Sequence, residues 1–136
     1  NFLYSDWKLQ NINENKILIS EINKPIFINI WATWCGPCRT EMPSINNLYN
    51  KYKKDVEFIL VSPHETIEVL KEFAQNNAYN LPIYTCISQT PIQLQTNSYP
   101  TTIIIDKNKN ITYKITGAHD WNTEEVYSIL DELINK

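Results

Sequence analysis

Cys35 and Cys38 are separated by Gly36-Pro37 in the run Trp31-Ala32-Thr33-Trp34-Cys35-Gly36-Pro37-Cys38, which follows a β-prone segment and leads into a helical one. On a helix this spacing sets two side chains one turn apart on the same side. A disulfide between them closes a very small loop, so loop entropy stabilises it little and reversible oxidation is the better use of the pair. The first thiol falls at a helix N-terminus, where free backbone N–H groups and the positive dipole end favour a thiolate. Cys35 is thus the expected nucleophile, and Cys38, deeper in the helix, the thiol that resolves a mixed disulfide. Half of a zinc site and a chance pairing compete with this reading. Zinc normally takes a second Cys/His pair, and the other candidates are the isolated Cys86, His64 and His119. No metal and no other cofactor is expected.

The elements that must hold this pair can be read from hydrophobic period. Pro25 to Trp31 and Val56 to Ser62 are nearly continuous β-prone runs, the pattern of strands buried on both faces. Between them a helix is expected from Gly36 to Lys53, with Ile45, Leu48, Tyr49 and Tyr52 on one face and Pro43 inside it. Trp7 to Gln10 and Lys16 to Ile19 suggest an opening hairpin. A second helix is expected over Thr66 to Asn77, a strand over Ile83 to Cys86 and a short helical piece near Pro91 to Leu94. Thr101 to Asp106 and Ile111 to Thr116 then form a hairpin, and a last helix starts with Asn122 as its cap and Glu125 as the reciprocal carboxylate. Strands alternating with helices imply an α/β protein with a mixed sheet.

Composition excludes several functions. The 136 residues suit one domain spanning 1–136. Lys and Arg number 12 against 15 Asp and Glu, a net charge of −3 that disfavours a nucleic-acid partner. No apolar run approaches the roughly 18 residues of a membrane span. The chain starts at Asn1 and its one methionine is Met42, so a processed start is expected, with any signal peptide or anchor already removed.

With those elements in place, the chain resembles the thioredoxin superfamily. Trp34-Cys35-Gly36-Pro37-Cys38 after a buried strand is that family's signature, Pro43 matches its helix proline, Tyr99-Pro100-Thr101 its cis-proline loop, and Gly117 the glycine lining the same cleft. The opening hairpin, Asn29 to Cys35, Glu41-Met42-Pro43 and Pro100 to Asp106 are similar to the TlpA/ResA-type branch. The resemblance implies a thioredoxin fold: a mixed sheet flanked by helices, an N-terminal hairpin region over 1–24, and a helix and strand inserted over 65–87 before the cis-proline loop. It also implies an extracytoplasmic or periplasmic thiol-disulfide oxidoreductase with disulfide-bearing client proteins. An upstream dithiol donor, membrane-bound in some cases, and a monomeric state complete that picture. Reduction of clients is the expected direction, with oxidation or isomerisation as the alternative.

The family's site residues carry over onto Cys35 and Cys38 and onto Trp34, Gly36, Pro37, Tyr99, Pro100 and Gly117 as the substrate-binding set. Thioredoxin's buried aspartate is replaced by Asn29, which cannot titrate, so Glu41, one turn past Cys38, is expected to influence thiol acidity. A solvated first-turn carboxylate is its bland alternative. Tyr99 is expected to offer its backbone to an extended client strand, Trp34 to cover the disulfide, and Trp31 to sit in the core. Cys86 is expected to be a small buried hydrophobe, and His64 and His119 surface residues. A Cu(I) carrier using Cys35, Cys38 and a histidine, or a redox-inert binding module, are the other classes weighed.

Overall fold

The computed structural model describes residues 6–77 and 79–136. The first hairpin is formed by β1 (Lys8–Asn11) and β2 (Lys16–Leu18), followed by β3 (Ile26–Ile30) and the long helix α1 (Gly36–Tyr52). Next come β4 (Glu57–Val61), α2 (Ile67–Asn76) and β5 (Ile83–Cys86), then β6 (Thr101–Ile105), β7 (Ile111–Thr116) and α3 (Glu124–Ile134). Among the described residues, two 3-10 turns, Ile19–Glu21 and Ile92–Leu94, interrupt the connections. The seven strands make one sheet in the order β2-β1-β5-β4-β3-β6-β7. The interior strand β3 runs parallel to β4 and antiparallel to β6, while β1 pairs antiparallel with both β2 and β5.

β3 and β6 are buried at every position, and for that reason they read as nearly continuous β-prone runs, broken only by Asn29, Thr101 and Thr102. Side chains alternate between two cores. Phe27, Phe58, Leu60 and Ile104 face one side, where Ile45 and Leu48 of α1, Leu70 of α2 and Leu130 of α3 cover them. Ile26, Ile28, Ile30, Ile59 and Ile103 face the other, which is closed by Trp7, Ile19 and Leu94. All three helices thus contribute to one face, and the opposite face is roofed by the segments around the two 3-10 turns.

Local chemistry sets the helix starts. Cys35 caps α1, its sulfur accepting the Cys38 amide at 3.2 Å, with Pro37 in the first turn where no N–H is needed. Thr66 caps α2 by accepting the Val69 amide. The expected cap of the last helix is displaced by one residue. Thr123, not Asn122, accepts the Val126 amide, and Asn122 instead accepts the Tyr127 hydroxyl. Both residues favour caps, and the Asn122 side chain is engaged by the Tyr127 hydroxyl, five residues on. Trp7 precedes β1, and Ile19 belongs to a 3-10 turn rather than to β2. The 65–87 segment supplies α2 and β5, and β5 is an interior strand lying between β1 and β4, with Cys86 opposite Leu9. Residues 1–5 of the expected 1–24 hairpin region, and Ala78 of 65–87, lie outside the described residues.

Candidate active site

The C-terminal end of β3 delivers the chain through Trp31 and Ala32, both buried, into the cap of α1. Cys35 and Cys38 are joined there by a disulfide, with Cα atoms 5.3 Å apart. Cys35 is 5% exposed and Cys38 1%, so an incoming sulfur reaches Cys35 first. The Cys35 sulfur lies 3.7 Å from the carbonyl oxygen of Tyr99. Trp34, Cys35, Gly36, Pro37 and Tyr99 line a single open groove over the disulfide. Trp34 is 70% exposed, and its ring centre is 5.8 Å from that of Tyr99. A large apolar side chain left in solvent beside a reactive bond is suited to contact with another polypeptide.

Across the groove the Tyr99–Pro100 peptide bond is cis, and Pro100 is buried. The Gly117 amide donates to the Pro100 carbonyl at 2.8 Å, and Gly117 reaches this position with φ +89°, a conformation that side chains rarely adopt. Gly117 therefore braces the proline loop from β7. His64 also lines the groove and is exposed, while His119 is exposed beside Trp121. Among the described residues, no group of three or more His, Cys, Asp or Glu side chains is arranged to hold a metal ion. No described helix is long and apolar enough to cross a membrane.

Glu41 is not a solvated carboxylate. It is 3% exposed, one turn beyond Cys38, and every hydrogen bond to it comes from a neutral donor. Asn29 Nδ2 donates to Oε2 at 2.8 Å, and Trp121 Nε1 and the His119 amide donate to Oε1 at 2.7 and 3.2 Å. Burial pushes its carboxyl above the ordinary glutamate value, and the bonds from Trp121, Asn29 and His119 oppose that shift. Asn29 also donates to Thr102 at 3.1 Å, its register partner on β6. An amide at the position of a buried acid thus becomes the donor that orients a buried acid on the helix.

Three contributors escape sequence reasoning. Trp121, 80 positions from Glu41, comes from the loop before α3. Thr102 contributes from β6. Glu65 clips the loop ahead of the cysteines: its carboxylate accepts the Thr33 amide at 2.8 Å, the Thr33 hydroxyl at 2.5 Å and the Ser62 hydroxyl at 2.6 Å. Arg39 adds a bond to the Thr33 carbonyl at 2.7 Å. Trp34 is thereby mounted on a loop held from both sides.

A redox-active cysteine pair at the start of a helix, beside a cis-proline loop and at the end of a buried interior strand of a mixed sheet, defines a thioredoxin-like thiol-disulfide oxidoreductase. The chain belongs to the AhpC/TSA family, whose sequence profile matches residues 4–114. It is 36% identical over 132 residues to a thiol-disulfide oxidoreductase ResA of Bacillus cereus, covering 93% of this chain and 72% of that protein. Its fold is similar to that of a Chlorobium tepidum protein described as a candidate thiol:disulfide interchange protein DsbE, with a TM-score of 0.81 and 22% identity over 96% of this chain and 94% of that one. It is also similar to the exposed lipoprotein thioredoxin Etrx1 of Streptococcus pneumoniae, with a TM-score of 0.78 and 22% identity over 94% and 99% of the two chains.

Proposed function

We propose that this oxidoreductase reduces disulfides of client proteins on the outer side of a bacterial cytoplasmic membrane, with Cys35 attacking and Cys38 resolving. The observation that carries the assignment of roles is the difference in access, 5% against 1%, between the two sulfurs of one disulfide. In the reduced enzyme the Cys35 thiolate attacks a client disulfide, forms a Cys35–client bond and releases one client thiolate. Cys38, losing its proton, then attacks the Cys35 sulfur. The Cys35–Cys38 disulfide forms, the second client thiolate leaves, and two electrons have passed to the client. An upstream dithiol donor returns them.

Each remaining residue has a part in that cycle. The Tyr99 backbone beside the Cys35 sulfur pairs with an extended client segment in the manner of strand addition. Trp34, Gly36 and Pro37 form the opposite wall, and Pro100 and Gly117 fix the Tyr99 backbone. Glu41 tunes the dithiol: its ionised form disfavours a nearby thiolate, and its neutral form holds a proton close to Cys38. The envelope location rests on similarity to the ResA-type branch, which works outside the cytoplasm. Direction rests on the Gly-Pro between the cysteines, as in reducing thioredoxins, whose potential is about −270 mV against about −120 mV for the oxidant DsbA.

Equilibration of the dithiol with glutathione or dithiothreitol tests direction. A potential in the range of reducing thioredoxins is expected, and one more positive than about −180 mV, where protein disulfide isomerase lies, assigns oxidation or isomerisation instead. Roles are tested by capture: Cys38→Ser accumulates client adducts through Cys35, whereas Cys35→Ser forms none.

A further inference from the structure

The groups bonded to the buried Glu41 carboxylate can only donate, with one exception. The Trp121 indole N–H and the His119 backbone amide hold Oε1 at 2.7 and 3.2 Å, and neither has a lone pair to offer in return. Asn29 holds Oε2 through Nδ2 at 2.8 Å and gives the second N–H of the same group to the Thr102 hydroxyl at 3.1 Å. Its Oδ1 is buried and has no partner. Both bonds that the Asn29 side chain makes thus leave from one end of its amide, and an acceptor stands idle at the other. That arrangement suits an ionised carboxylate, which only accepts. A neutral carboxyl carries an O–H that must donate, and here it would meet donors at both oxygens.

We propose that Asn29 is a positioning residue that follows the Glu41 proton: its amide turns end for end when Glu41 is protonated, so that Oδ1 accepts both the carboxyl O–H and the Thr102 hydroxyl. The proposal rests on the reading that Glu41 holds a proton beside the dithiol. The oxygen and nitrogen ends of an amide are nearly equal in size and the torsion that exchanges them is roughly two-fold, so a half-turn preserves the packing around Asn29. Oδ1 has two lone pairs, one for each partner, and a threonine hydroxyl donates as readily as it accepts. One end of the amide lacks a partner in either orientation, so the Glu41 proton selects between them. Oε1 stays with Trp121 and His119 throughout, and the carboxyl keeps its place in both charge states. The titratable groups around it are Cys38, one turn earlier on α1, and His119 and Asp120 on the loop before α3, which line an open pocket together with Glu41. β3 and β6 present the uncharged Asn29 and Thr102 to this network. Because burial raises the Glu41 carboxyl, its protonation is met on mild acidification.

The test is nuclear magnetic resonance on the full oxidised chain, in which Cys35 and Cys38 are joined and do not titrate. The carboxyl carbon of Glu41 reports its protonation, and the His119 ring is followed separately. Cross-relaxation from the Asn29 side-chain amide protons to the Thr102 side chain reports which end of the amide faces Thr102. That signal is expected while Glu41 is ionised, and its loss on lowering the pH is expected to track Glu41 and not His119. Glu41→Gln supplies a reading that does not depend on pH. Trp121 and His119 claim the new side chain's oxygen, its NH2 group then faces Asn29, and the amide is held turned, so the signal is expected to be absent at every pH. A signal that persists through the Glu41 titration, or that is present in Glu41→Gln, overturns the reversal even where Glu41 tunes the dithiol. Reversal with identical Cys35 alkylation profiles in reduced wild type and Glu41→Gln overturns the reading beneath it, and with it the positioning role of Asn29.

Discussion

The Asn29 side chain on β3 donates to the Glu41 carboxylate on α1 at 2.8 Å, joining an interior strand of the sheet to the helical turn that follows Cys38. Asn29 cannot change charge, so whatever proton moves in this network moves at Glu41. Trp121 on the other carboxylate oxygen completes the clamp at 2.7 Å. The buried acid is therefore held by donors from two distant parts of the chain, and its charge state is coupled to the packing of both.

Glu41→Gln removes that charge. Because burial raises the Glu41 carboxyl, the folded protein binds its proton more tightly than the unfolded chain does. The stability this supplies is fully present below the unfolded value and is lost as pH rises through the folded one. The difference in urea midpoint between wild type and variant is expected to fall from acid to neutral pH and then level off. The alkylation profile of reduced Cys35 is expected to shift toward lower pH, by on the order of one pH unit at most, since a neighbouring negative charge has been withdrawn. Superimposable profiles would confine Glu41 to a structural role.

Trp121→Phe keeps the ring in the core, where it meets Phe27 edge-on at 5.4 Å between centroids, and deletes one donor to Glu41. Hydrogen bonds to charged groups contribute about 1.5–3 kcal/mol. Since the Trp121 bond favours the ionised carboxylate, the loss is expected to be larger at pH 8 than at pH 4. Denaturant titration at the two values measures it, and a loss independent of pH points to packing alone.

Glu65→Ala leaves the Thr33 amide and hydroxyl and the Ser62 hydroxyl without their shared acceptor. A loss of about 2–4 kcal/mol is expected, the upper part of the usual single-substitution range. The Thr33–Trp34 loop forms one wall of the disulfide groove, so adduct formation with peptide disulfides should slow more than reaction with dithiothreitol. Equal slowing with both reagents would show that the clip does not position Trp34.

Gly117→Ala separates space from conformation. A Cβ at Gly117 meets nothing within 4 Å, yet φ is +89°. The expected cost is about 1–2 kcal/mol of backbone strain, read as a lower thermal midpoint, with adduct formation through Cys35 retained. Abolition of adduct formation in a folded variant would mean that the bond from the Gly117 amide to Pro100 governs the groove directly.

What the residue pattern revealed was what depends on neighbours in sequence. Cys35, Gly36, Pro37 and Cys38 announce a helix start bearing a dithiol, and the runs through β3 and β6 announce buried interior strands. Asn29 was legible as a group that does not titrate, but not as a donor to Glu41, because that bond depends on how α1 crosses the sheet. Trp121 reads as one aromatic among others before α3. Glu65 lies beside the start of an amphipathic helix, where a carboxylate is ordinarily solvated, and only the fold turns it toward Thr33. The one-residue difference at the start of the last helix is local instead: two good caps stand side by side, and the Tyr127 hydroxyl, five residues on, engages Asn122 and leaves Thr123 as the cap.

The sheet's borders have a consequence for how this protein behaves among unfolded polypeptides. Unpaired strand edges invite foreign strands and seed aggregation. One border, β2, is three residues long and begins with Lys16, and the other, β7, carries Lys114 and departs from regular register opposite Ile104 and Ile105. Short length, positive charge and irregularity each make such a border a poor template. If clients pair beside Tyr99 as proposed, that segment is left as the favoured landing place for an extended chain, and sticking to a client and reacting with it become the same event.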